Sequence, residues 1–150
     1  MIGIEGGRVS KQTMEWLQRV VEGIDEKSTD AECSKILEQR GRDCAPQELI
    51  EKAKEIYRKT KSVGPFLAEF NEIFGMLEIE DDAIHVVYPR CFCHHIATEC
   101  PKEVPDEYCE CSVGWLKELF GQATGKDVEV ELLGSVVRGG ENCRFEIRFP

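Results

Sequence analysis

The sequence predicts an α+β fold, with a helical first half followed by antiparallel β-hairpins packed around one further helix. Three observations carry that expectation. Up to Gly75 apolar residues recur every three or four positions. Beyond it they recur mostly at every second position, interrupted by one return to helical spacing. The composition, 41% hydrophobic and 32% charged over 150 residues, supplies enough apolar side chain for one core and too much for a disordered chain. We expect a single domain over residues 1–150, with 1–75 its helical part and 76–150 a cysteine-rich part of sheet and helix.

Ser10 caps the first expected helix, in which Met14, Leu17, Val20, Val21 and Ile24 form one stripe. A second helix follows Thr29 or Asp30, with Cys33, Ile36 and Leu37 on one face, and Gly41 is placed to stop it in a left-handed cap. Pro46 suits the first turn of a third, with Leu49, Ile50, Ala53, Ile56 and Tyr57 as its stripe. Gly64-Pro65 breaks that helix. Phe66, Leu67, Phe70, Ile73 and Phe74 supply a fourth, ended by Gly75, and their four-residue spacing is ordinary for a core.

The period then changes. Leu77 and Ile79 alternate, Asp81-Asp82 turn the chain, and Ile84–Tyr88 return as a strand. Cys91-Phe92-Cys93 continues extended past Pro89, and His94–Tyr108 is irregular cover. Ser112–Ala123 is helical, with Leu116, Leu119 and Phe120 on its apolar face and Gly125 after it. Val128, Val130 and Leu132 form a strand, Gly139–Asn142 a turn, and Cys143, Phe145, Ile147 and Phe149 the returning strand.

Charge and cysteine content narrow the chemistry. Net charge is −10, and residues 76–150 hold 7 basic against 15 acidic side chains, a local −8 that repels a phosphate backbone. Nucleic acid is therefore not expected as a partner. No apolar run approaches the roughly 18 residues of a membrane span, and Met1–Gly7 has no export signal, so a cytoplasmic protein is expected. Six of the eight cysteines fall in the second half. In a reducing compartment such a cluster points to metal binding or thiol chemistry over disulfides.

Cys91 with Cys93, and Cys109 with Cys111, form two C-x-C pairs. On extended backbone residues i and i+2 share a face, so Cys91 and Cys93 could aim both sulfurs at one point. Cys109 and Cys111 stand just before the expected helix, where unpaired N–H groups favour thiolate. Four thiolates suit zinc, and an iron–sulfur cluster takes the same number. Cys143 opens the last strand and competes for a place. Of His94 and His95 at most one could face the same site. Cys33 reads as a small buried hydrophobe, Cys44 beside Arg42 as a thiol with a nearby cation, Cys100 as a weak ligand candidate, and His85 as a residue on the wetter sheet face.

Gly125-Lys126-Asp127-Val128-Glu129-Val130 and Gly139-Gly140-Glu141-Asn142-Cys143-Arg144-Phe145-Glu146-Ile147 carry a resemblance. The stretch from Cys109 to Phe149 resembles the 4-vinyl reductase domain. Related domains form the ligand sensors of aromatic-responsive bacterial transcription activators, where a structural zinc sits beside a hydrophobic small-molecule pocket. The resemblance implies zinc ligands at Cys109, before the helix, and at Cys143, opening the last strand. The sensors' other two ligands fall at Leu132 and Ser135, so Cys91, Cys93 and Cys111 stand as replacements. Tyr88–Cys93 and Tyr108–Trp115 also resemble the Tyr-Pro-x-Cys-x-Cys and Tyr-Cys-x-Cys-Ser-x-Gly-Trp elements of a set of bacterial and archaeal proteins.

What the resemblance implies is a zinc-stabilised, small-molecule-binding domain, dimeric as related domains often are and signalling through a separate chain. Its pocket is expected near Trp115, Phe120, Phe70 and Phe74. The alternative is a zinc- or cysteine-dependent enzyme of hydrolase or reductase type, with an open zinc position or Cys111 as nucleophile. No serine nucleophile elbow, phosphate-binding glycine loop or dinucleotide fingerprint accompanies it.

Overall fold

A computed structural model of the chain describes residues 19–20, 22–24, 26–89, 106–136 and 138–150. The expected helix after Ser10 lies mostly outside these, although residues 19–20, 22–24 and 26–27 are helical. Helix α1 (Asp30–Cys44) starts where its cap signal predicts. Thr29 Oγ1 accepts from the Glu32 amide at 3.3 Å, and Glu32 Oε2 accepts from the Thr29 amide at 2.8 Å, two amides satisfied reciprocally. Cys33 and Leu37 are buried as expected, whereas Ile36 is 40% exposed.

Gly41 does not end α1. The helix runs through it to Cys44 and stops at Ala45, whose extended backbone suits a residue before Pro46. Gly41 serves a different purpose: a Cβ there would stand 1.7 Å from the carbonyl oxygen of Cys111 in the later helix α4 (Glu110–Thr124). Reciprocally, a Cβ on Gly114 would stand 1.8 Å from the carbonyl oxygen of Glu38. Rising numbers on α1 meet falling numbers on α4, so the two helices cross in opposite directions with backbone against backbone. Half-buried charges flank the crossing: Lys117 Nζ reaches Glu38 at 3.0 Å, and Arg42 reaches Glu38 and Glu118 at 3.4 Å each.

Helix α2 (Gln47–Thr60) buries Leu49, Ile50, Ala53 and Ile56 as one stripe. It ends at Lys61, left-handed at φ 59, and not at Gly64-Pro65. That dipeptide lies instead in the first turn of α3 (Val63–Phe74), where proline's missing N–H costs nothing. Phe66, Leu67 and Phe70 are buried on α3, and Gly75 closes it at φ 65. The Asn71 amide then clamps the next strand, donating to the Leu77 carbonyl at 2.9 Å and accepting from its N–H at 2.8 Å.

The four strands β1 (Leu77–Ile79), β2 (Ile84–Tyr88), β3 (Glu129–Gly134) and β4 (Cys143–Arg148) form one antiparallel sheet in the order β1-β2-β4-β3. Val86 pairs Phe145 and Tyr88 pairs Cys143, so period-2 alternation sends Leu77, Val86, Tyr88, Cys143, Phe145 and Ile147 into one core. That core includes the buried stripes of α2, α3 and α4. The α+β class and the antiparallel sheet thus match expectation.

Candidate functional site

The expected site residues sort into two groups at one end of the sheet. Cys109 is the last residue of a 3-10 turn (Asp106–Cys109) and the N-cap of α4. Cys143 opens β4, and Ser135 follows β3 at 1% exposure. The Cys109 thiol donates to Ser135 Oγ at 3.2 Å. The same oxygen accepts from the Arg138 amide at 3.1 Å, and Cys143 Sγ accepts from the Val136 amide at 3.5 Å. Two thiols and a hydroxyl therefore face one another where helix, strand and hairpin meet.

The hairpin folds tightly to make this possible. Ser135 O accepts from the Gly140 amide at 2.8 Å, and Gly139 takes φ 87, a left-handed conformation that suits glycine. A Cβ on Gly140 would come 2.9 Å from that same Ser135 oxygen. The pair Gly139-Gly140 thus shapes the corner.

Burial pushes the Cys109 thiol up. Ser135 and the Arg138 charge oppose the shift, and Cys143 and Glu110 add to it. A neutral thiol donating to a hydroxyl is consistent with that direction. Cys111 is also pushed up by burial, and then by Cys44 ahead of Cys109. The Arg42 guanidinium engages Glu38 and Glu118.

Helix α4 starts at Glu110, two residues before the expected Ser112, so Cys111 lies inside the first turn. At about 100° per residue, two positions turn a side chain roughly 200°. Cys109 looks to the sheet and Cys111 to α1, where its backbone meets Gly41. A two-residue difference in the helix start separates one expected site into two.

Cys91, Cys93, His94, His95 and Cys100 lie outside the described residues. Among the described residues, no group of three His, Cys, Asp or Glu side chains is placed to hold a metal ion. Of the four positions carried by the resemblance, two keep thiols; Ser135 offers a hydroxyl and Leu132 no donor. The donor set fits half of a zinc site, and completion requires other cysteines.

Phe70 and Phe120 are fully buried and pack edge to face at 5.3 Å, while Phe74 lies 4.5 Å from Phe70 between ring centroids. Trp115 is half-buried against the same core. His85 sits on the outer sheet face, 3.2 Å from Arg144 and 3.8 Å from Glu146. Sequence reasoning overlooked Gly41 and Gly114 as a matched contact. The available signal was a glycine on each of two helices near a cysteine.

A thiol whose pKa is raised by folding stays protonated in the native chain while the unfolded chain ionises. Its stabilisation is whole below the unfolded value of 9.0 and is lost as pH rises through the folded one. Metal-free protein should lose denaturant stability above pH 9, and Cys109→Ala should flatten the decline. Equal slopes in denaturation series of the two proteins, taken from about pH 8 to 10, would contradict the assignment.

Residues 1–149 match a family described as a family of unknown function (DUF6144). No curated protein matches the sequence. The fold is similar to the phenol-responsive sensory domain of the transcription activator PoxR, solved with phenol. That likeness has TM-score 0.53 and 13% identity over 95% of this chain and 76% of that one. It is also similar to a trafficking protein particle complex subunit 3 from Naegleria fowleri covalently bound to palmitic acid. There the TM-score is 0.52 and the identity 13%, over 94% of this chain and 97% of that one. At such identity the likeness speaks for the fold. No helix among the described residues is long and apolar enough to cross a membrane.

Proposed function

The chain belongs to DUF6144, a family of unknown function, and we propose that it is a sensor-type domain that binds a hydrophobic small molecule, with its sheet-end corner closed by a structural zinc ion. The observation that carries this reading is the meeting of Cys109 and Cys143 around Ser135 in a fold that is similar to a phenol-responsive sensory domain. The resemblance of residues 109–149 to the 4-vinyl reductase domain supports the same two cysteines as ligands.

Cys91 and Cys93 complete the set. Strand β2 ends at Tyr88, the register partner of Cys143. Cys91 follows Tyr88 by three residues in the sequence. Cys111 is left out, because the helical turn aims it at α1. Zinc held by four protein ligands would stabilise the fold and leave no position for a reacting water. The small molecule would sit against Phe70, Phe74, Phe120 and Trp115, with a second copy of the chain and a separate signalling chain as its partners.

Metal analysis of purified protein tests the corner. We expect about one zinc per chain, lost in the Cys91, Cys93, Cys109 and Cys143 serine variants and kept in Cys44→Ser and Cys111→Ser. A zinc-free protein with eight titratable thiols would sink this reading. So would zinc retained by Cys109→Ser, and a brown iron-containing sample would replace zinc with an iron–sulfur cluster.

A further inference from the structure

Cys44 and Cys111 have no part in the zinc proposal, yet the fold brings them to one place. The Cys111 backbone meets α1 at Gly41, close enough that no Cβ fits between them. Cys44 follows Gly41 by three residues, on nearly the same side of the helix and roughly 5 Å along its axis. Both cysteines are free thiols; Cys44 is exposed and Cys111 half-buried. Disulfides join Cα atoms about 4.4–6.8 Å apart, a span that two helices in backbone contact can offer.

We propose that Cys44 and Cys111 form a reversible thiol–disulfide site, oxidised by hydroperoxides, that links the last turn of α1 to the first turn of α4. The exposed Cys44 sulfur attacks one oxygen of hydrogen peroxide, the O–O bond breaks, and hydroxide departs with the thiol proton as water. Cys44 is left as a sulfenic acid. The Cys111 sulfur then attacks the Cys44 sulfur; the S–S bond forms, the S–O bond breaks, and hydroxyl leaves with the Cys111 proton as a second water. Two thiols give up two electrons and two protons, and one peroxide becomes two waters. Thiol reductant reverses the link.

The site is read by peptide mapping of full-length protein treated with hydrogen peroxide and digested with trypsin without reduction. Cys44 lies in fragment 43–52, and Cys111 shares fragment 103–117 with Cys109. We expect these two fragments joined, and separated again by reductant. The link should persist in Cys109→Ser and Cys143→Ser, and disappear in Cys44→Ser and Cys111→Ser. Melting of the oxidised wild type should occur at a higher temperature than that of the reduced protein, a shift missing from Cys44→Ser. Cys44 recovered as an unlinked sulfinic acid would overturn the proposal. A link to any cysteine other than Cys111, or one that survives in Cys111→Ser, would do the same.

Discussion

Gly41→Ala and Gly114→Ala should each destabilise the protein by about 3 kcal/mol or more, at the upper end for an added methyl group. In an ordinary helix interior the same change stabilises, by about 1 kcal/mol. Here the new Cβ would stand 1.7 Å from Cys111 O or 1.8 Å from Glu38 O. Both obstacles are backbone, so no side chain can swing aside and the helices must separate. Separation would also loosen the ion pairs of Glu38 with Lys117 and of Arg42 with Glu118. Gly121→Ala is the internal control. Its Cβ would meet Lys126 O at 3.6 Å, an ordinary contact, so this change on the same helix should stabilise the protein. Urea denaturation distinguishes the two signs. Equal effects at positions 41 and 121 would refute the close crossing.

Phe120→Ala should cost about 3–5 kcal/mol, the range for deleting a buried aromatic ring. Phe120 is fully buried, with ring centroids 5.3 Å from Phe70, 6.2 Å from Phe66 and 6.4 Å from Phe149. It joins α4 to α3 and to the residue just after β4, so its loss leaves a cavity that no single neighbour can fill. Ile73→Ala, by contrast, trims a side chain 59% exposed on the same α3 and should change stability by no more than about 0.5 kcal/mol. If thermal or chemical melts show Phe120→Ala within that small range, the aromatic layer is not the core described here.

The sequence disclosed elements where one local rule decided them and concealed features that depend on contact between distant elements. The apolar stripe of α2 was legible because Leu49, Ile50, Ala53 and Ile56 all face one core. Gly75 and Gly125 read correctly as stops because both take left-handed caps, at φ 65 and φ 69. Gly41 carries the same letter for a different reason, and only the position of α4 reveals it. Lys61 takes the left-handed cap without being glycine, so the end of α2 gave no glycine signal. At the candidate site, Cys109 and Cys143 were both singled out from the sequence, and the fold brings Cys109 to Ser135 beside the turn that leads to Cys143. The split between Cys109 and Cys111 was hidden because the helix starts at Glu110, two residues before the expected Ser112, and its first turn carries Cys111 round from Cys109.

The separation of Cys109 from Cys111 also sets the limits of the proposed zinc corner. One thiol faces the hairpin and Ser135, the other faces α1 and Cys44. Structural metal and reversible disulfide can then occupy neighbouring positions without sharing a sulfur. The aromatic layer of α3 and α4 packs on the same sheet whose end carries this corner. Binding of a small apolar molecule there would connect the ligand to the elements that the corner holds in place.

Binding of a hydrophobic small molecule in that layer is tested by an amide NMR titration of the purified protein with phenol. We predict saturable shifts concentrated in residues 66–74 and 113–120, including Phe70, Phe74, Trp115 and Phe120. Shifts that fail to saturate, or that fall on the outer sheet face around His85 and Arg144, would contradict it.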